Sequence, residues 1–152
     1  MFYSNDKYKQ VLELSAEKGF QYVLFIIRPE IPFDKQNSSF LLQMKKFLVK
    51  DYFSDNWPCT QIFRAQANIL IYSLNTESLH TIFSHSESFS SWQQPHLPED
   101  MCILITNKEV FLASSASEKC IWFNTNSNEL FDLSQDEIDV KRLKIDWNFS
   151  PN

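Results

Sequence analysis

The chain predicts an α+β fold, a mostly antiparallel sheet of five or six strands with helices packed mainly on one face and a C-terminal β-meander. Three observations lead there. Met101 to Phe123 holds three strand-like runs joined by two tight connections, the pattern of successive antiparallel hairpins. Tyr22 to Ile27 is apolar at every position, so a strand there is covered on both sides and belongs in the sheet interior. Two stretches, about Asp6 to Lys18 and Ser38 to Phe53, carry apolar residues at helical spacing.

In order, Asp6 is a candidate N-cap. Tyr8, Val11, Leu12 and Ala16 form an apolar stripe, and Gly19 stands where a helix C-cap needs positive φ. Gln21 to Arg28 is the interior strand, stopped by Pro29 and Pro32. Ser38 or Ser39 caps a second helix with Phe40, Leu41, Met44, Phe47 and Leu48 inward and Lys45, Lys46 and Lys50 outward. Ser54 to Pro58 breaks it. Strands follow at Thr60 to Phe63 and Asn68 to Leu74. Asn75 or Thr76 caps a short helix carrying Leu79, Ile82 and Phe83. Ser84 to Ser91 is a loop or a frayed helix end.

Trp92 to Pro98 reads as a stiff extended connector, because Pro95 and Pro98 restrict themselves and the residues before them. Met101 to Ile105 is the first meander strand, Asn107-Lys108 a turn, and Glu109 to Ser115 the second, with Val110 and Leu112 on one face. Ser117 to Lys119 turns into Cys120 to Phe123. Asn124 to Asn128 is a turn-rich loop. Ser134 to Glu137 matches a capping box and starts a helix with Ile138 and Leu143 inward. Lys141 to Lys144 is then a solvated helix face. Trp147 to Asn152 packs through Trp147 and Phe149 or frays.

Trp92-Gln93-Gln94-Pro95-His96-Leu97-Pro98-Glu99-Asp100-Met101-Cys102 resembles the W-x-x-P-x-L-P-E-D-L-C-F run of a family of small bacterial proteins labelled stage III sporulation protein AH-like. Thr60 to Ile62 and Ala67 to Thr81 are similar to the family's lead-in, so the resemblance covers Trp57 to Phe123. In the family a hairpin follows, ending near S-I-A-H-E. Here that place holds Ser114 to Glu118, with Ser117 where the family has His. The resemblance implies a structural role for Trp92, Pro95, Pro98, Glu99 and Asp100, and no activity.

Composition excludes several functions. There is a single Gly, so the glycine-rich loops that cradle phosphates and the G-x-S-x-G elbow are absent. The net charge of -5 disfavours nucleic acid, which requires a basic face. No apolar run approaches the roughly 20 residues of a spanning helix, and no signal-peptide pattern opens the sequence. A single cytoplasmic domain over residues 1-152 is the expectation. Cys59, Cys102 and Cys120 read as reduced core thiols. With His80 on a helix surface and His85 and His96 in loops, they show no metal-ligand spacing. No metal or other cofactor is expected. Glu99 and Asp100, adjacent in a strand, point to opposite faces and read as a solvated pair. Alternatively, either carboxylate accepts N–H groups of the preceding turn and sets the meander's entry angle. Ser114, Ser115 and Ser117 lack a neighbouring base. Trp92 is assigned to the core, and Trp57 is either core or contact anchor.

Three function classes stay open. The first is a protein-binding module, in particular an immunity-type inhibitor of a toxin such as a basic nuclease, since opposite charge speeds association. Its candidate contact residues are the acidic Glu129, Asp132, Asp136, Glu137 and Asp139. The second is a housekeeping or structural domain of the family it resembles. The third is an enzyme whose residues assemble only in three dimensions. The expectation is a non-enzyme with a protein partner, no nucleic acid and no membrane contact.

Overall fold

A computed structural model describes residues 2–125 and 139–151. It is α+β, with one more strand in its main sheet than the sequence suggests. Helix α1 (Phe2–Glu17) leads into β1 (Tyr22–Ile27). Helix α2 (Ser39–Met44) continues through a 3-10 turn into β2 (Leu48–Ser54). A small hairpin, β3 (Asn56–Trp57) and β4 (Thr60–Gln61), precedes β5 (Ala67–Ser73) and helix α3 (Thr76–His85). The chain then forms β6 (Glu99–Thr106), β7 (Glu109–Ser115), β8 (Cys120–Asn124) and β9 (Asp139–Leu143).

Seven strands make one sheet in the order β2-β5-β1-β6-β7-β8-β9. Every neighbouring pair is antiparallel except β8 and β9, which run parallel. β1 is interior, as its continuous apolar run predicts. Its alternate side chains feed two cores. Val23 and Phe25 face the helices with Tyr8, Val11, Leu12, Phe40, Met44, Leu79 and Ile82. Leu24 and Ile26 face the opposite layer with Ile69, Ile71, Cys102, Trp57, Ile145 and Phe149. All three helices therefore cover one face. The β3–β4 hairpin and the C-terminal tail cover the other.

Several local signals operate as expected. Gly19 has φ +77°. Its N–H donates to Ala16 O and that of Phe20 to Ser15 O, at 3.1 and 3.0 Å, which is the Schellman closure. Ser38 accepts from Leu41 N–H, and Asn75 and Ser78 form a reciprocal capping box. The Asn107-Lys108 turn and the β6–β7–β8 meander are present.

Other elements differ from expectation. α1 begins at Phe2, a turn before Asp6, because no Pro or Gly interrupts those residues and a cap preference is weak against continuation. The second helix stops at Met44. Leu48 to Ser54 leaves the helical stripe to pair with β5, which satisfies its backbone groups through a partner some twenty residues away. Val110 and Leu112 lie on opposite faces, since an extra residue at Phe111 bulges β7 between the Leu104–Val110 and Ile103–Leu112 pairs. Trp92 to Pro98 is a turn: Leu97 N–H donates to Gln93 O at 3.0 Å and the Gln94–Pro95 peptide is cis. His85 closes α3 and is not in a loop. Cys59 is exposed, carried outward at φ +66° between β3 and β4, while Cys102 and Cys120 are buried. Residues 139 to 143 are strand, not helix, because the edge of β8 offers them parallel pairing. The capping box at Ser134 to Glu137 and the loop at 126 to 128 lie outside the described residues. The tail packs: Phe149 is buried, and Trp147 Nε1 donates to Asn56 Oδ1 at 3.2 Å.

Candidate functional site

Arg28 follows the last residue of β1 and directly precedes Pro29. An arginine at the exit of a strand buried on both faces has little water to turn to. It needs anions, and β6 supplies them. Glu99 pairs with Ile26 and Cys102 with Leu24, so β6 holds one residue more than β1 between these points. Asp100 takes up that excess at φ +57°, a left-handed conformation that Asp tolerates better than most residues. The bulge removes the strict alternation of a strand. Both carboxylates therefore reach the same guanidinium. Nη2 lies 2.9 Å from Asp100 Oδ2 and Nε 3.6 Å from Glu99 Oε1. Their side chains are 1% and 3% exposed. The expectation of a solvated pair on opposite faces is thereby corrected.

Gln94 closes the arrangement into a ring. Arg28 N–H donates to its Oε1 at 2.6 Å, and its Nε2 donates to Arg28 O and Ile31 O at 3.2 and 2.8 Å. The backbone of Gln94 also lies close enough to Glu99 to favour its ionised form. Trp57 lies under the guanidinium, 5.1 Å from ring centre to Cζ, a cation–π contact. Its indole N–H also faces Asp100 and favours the ionised carboxylate. Neither that nitrogen nor Asp100 Oδ1, however, completes a hydrogen bond with good geometry. Trp57 is core, at 2% exposure.

Two buried carboxylates share one close guanidinium, and a third acid, Glu30, lies 3.7 Å from it on the solvent side. Burial pushes Glu99 above the ordinary carboxylate value, and the charge of Asp100 adds to this, with Arg28 opposing. Burial likewise raises Asp100 against the pull of Arg28. A folded-state acid with a raised pKa binds its proton more tightly than the unfolded chain does. Its contribution is fully present below the unfolded carboxylate value, and is lost as pH rises through the folded one. The urea midpoint is thus expected to fall from about pH 5 to about pH 8, and Glu99→Gln, which resembles the protonated acid, to flatten that fall. A variant with the same slope as the parent would show that Glu99 holds no proton in this range.

The ring ties together two loops that form the walls of a cleft of about 310 Å³. Phe33 and Asp34 come from the segment after Arg28, Phe40 from α2, His85 from α3, and His96 and Leu97 from the turn after Gln94. Asp34 Oδ2 accepts from Asn37 Nδ2 at 2.8 Å and Oδ1 from Asn37 N–H at 3.2 Å. These bonds hold Asp34 below the usual carboxylate range. His85 Nδ1 lies 3.0 Å from Thr81 O. A carbonyl only accepts, so Nδ1 carries the proton, and Nε2 of the neutral ring is an acceptor.

A second surface feature is the outer edge of β2, which no other described strand pairs. Leu48 and Phe53 are 40% and 63% exposed there. They project on the helix side, opposite Tyr72 and Asn68 of β5. Lys35 bridges to Asp51 at 2.9 Å and joins this edge to the cleft's loop. Leu42 on α2 and Phe63 in the β4–β5 connection are also exposed.

Of the residues singled out in the sequence, Glu129, Asp132, Asp136 and Glu137 lie outside the described residues. Asp139 opens β9 opposite Cys120. Trp92 is fully buried, Pro98 buried and Pro95 exposed. His80 and His96 are exposed. Among the described residues no group of three or more His, Cys, Asp or Glu could hold a metal ion, and none of their helices is long and apolar enough to cross a membrane. Sequence reasoning missed Arg28 and Gln94. The available signal was an arginine at the end of a strand apolar on both faces, which requires a buried counter-charge.

The class that fold and site define is an α+β module with a buried acid–arginine ring, an adjoining cleft and an open sheet edge. Comparison with protein-family models, curated proteins and solved structures found no match.

Proposed function

We propose that this protein is a protein-binding module of the inhibitor type, which neutralises a basic partner such as a toxic nuclease by covering it. The observation that carries this reading is the edge of β2, which no other described strand pairs, with Leu48 and Phe53 exposed beside it. An open edge offers backbone donors and acceptors to an added strand, and large apolar side chains next to it supply the desolvated contact that gives affinity. The net charge of -5 favours a basic partner through a complementary field. The acidic Glu129, Asp132, Asp136, Glu137 and Asp139 add to that field.

The test is affinity capture from native lysate by the tagged chain, washed first at low and then at high salt. The expected result is one stoichiometric basic partner, weakened by salt but retained. Phe53→Lys is expected to bind it at least about tenfold more weakly while keeping the parent's circular dichroism. An empty capture, or a partner held equally by the variant, would remove the proposal.

A further inference from the structure

The cleft beside the acid–arginine ring has the chemistry of a receptor for one side chain. Its lining is split by character. Phe33, Phe40 and Leu97 give an apolar wall, and Asp34, His85 and His96 give polar groups. Asp34 is exposed, and its two bonds from Asn37 fix its orientation as well as its charge. Lys35, the cation next to it in the chain, is drawn away to Asp51. The buried ring of Phe40 stands edge-on to His85 with centroids 5.4 Å apart and backs the cleft from the core, while Phe33 is the aromatic residue partly exposed in it. The walls are held without a ligand, since Gln94 is bonded to both Arg28 O and Ile31 O. A preformed cleft loses less on binding than one that must order itself.

We propose that this cleft takes a lysine or arginine side chain of the protein partner, its aliphatic stem along Phe33 and Leu97 and its cationic head at Asp34. The proposal rests on the protein-binding reading and names the anchor that reading lacks. Long basic side chains combine an apolar stem with a charged tip, which matches a cleft with Phe33 and Leu97 partly exposed on its walls and a solvent-exposed charged group. The carboxylate favours a cation over an anion, and the imidazole acceptor adds a place for a donor. Arginine has a further advantage, because its planar group stacks on rings and engages a carboxylate with two donors.

The experiment titrates the purified chain with blocked single amino acids, followed by the ring-proton NMR signals of His85 and His96. N-acetyl-arginine amide and N-acetyl-lysine amide are the probes, with the norleucine and glutamate amides as controls. The expected result is a saturable shift of both histidines with the basic probes, at least about fivefold weaker with norleucine and absent with glutamate. Asp34→Asn is expected to bring the basic probes down to the norleucine level. Equal response to norleucine, an unchanged Asp34→Asn titration, or no shift with either basic probe overturns the proposal. The outcome is independent of the captured partner. If the cleft stays silent while Phe53→Lys still abolishes capture, the side-chain receptor is wrong and the binding edge stands.

Discussion

Arg28→Met is expected to lower the unfolding free energy by about 3–5 kcal/mol at neutral pH, the usual cost of removing one partner from a buried ion pair. The reason is what it leaves behind. Glu99 and Asp100 remain in the interior with their nearest cation gone, and Asp100 Oδ1 already has no hydrogen-bond partner. The methionine retains much of the packing against Trp57, so the loss is mostly electrostatic. The pH behaviour carries a second signature. Without the guanidinium both acids titrate higher still in the folded state, so stability falls more steeply with rising pH than in the parent. Adding Glu99→Gln and Asp100→Asn to Arg28→Met recovers part of the loss, because no buried charge is then left unpaired. Urea unfolding of the parent, the single and the triple variant at about pH 5 and about pH 8 tests all three statements. A single variant within about 1 kcal/mol of the parent would mean that water reaches these carboxylates freely.

Trp92→Ala is expected to cost about 3–5 kcal/mol. Trp92 is 0% exposed. Its ring lies 4.5 Å from that of Phe25 on β1 and 4.9 Å from that of Phe40 on α2. It joins the turn before β6 to the strand and the helix at once. Its indole N–H also donates to Tyr8 Oη at 3.0 Å, and the Tyr8 hydroxyl donates in turn to Ser86 Oγ at 3.1 Å. This chain ties α1 to the end of α3. Trp92→Phe keeps most of the ring volume and breaks the hydrogen bond, so it should cost far less, about 1–2 kcal/mol. Tyr8→Phe should cost about 1 kcal/mol. Because the two side chains share one bond, the double variant should lose less than the sum. A sum additive within about 0.3 kcal/mol would show that the bond contributes nothing.

Both effects centre on residues that differ in how legible they were. Trp92 could be assigned to the core only through the motif it resembles, since a large aromatic near prolines is otherwise either a core plug or a contact anchor, as with Trp57. The ring around Arg28 could not be assembled. It depends on the register between β1 and β6, and on the extra residue at Asp100 that turns two adjacent carboxylates toward one group. Strict alternation predicts the opposite. The same limit hid β2. Residues 48 to 54 continue an apolar stripe of helical spacing, and what makes them a strand is a partner in β5. The acidic segment proposed as a contact surface was chosen by charge density. The exposed apolar edge was invisible because exposure of Phe53 follows from β2 being outermost in the sheet.

The sequence by itself determined what local physics controls. It set the α+β class, the interior place of the strand at 22 to 27, the Gly19 helix end, the tight meander and, to within one residue, the caps at Ser38 or Ser39 and Asn75 or Thr76. Each depends on residues within a few positions of one another, where periodicity, capping and turn preference act directly. The tertiary structure decided the acid–arginine ring, the cleft walls, the seventh strand and the open edge. Each of these joins segments distant in the chain. Its free energy comes from pairing and burial that exist only once those segments meet.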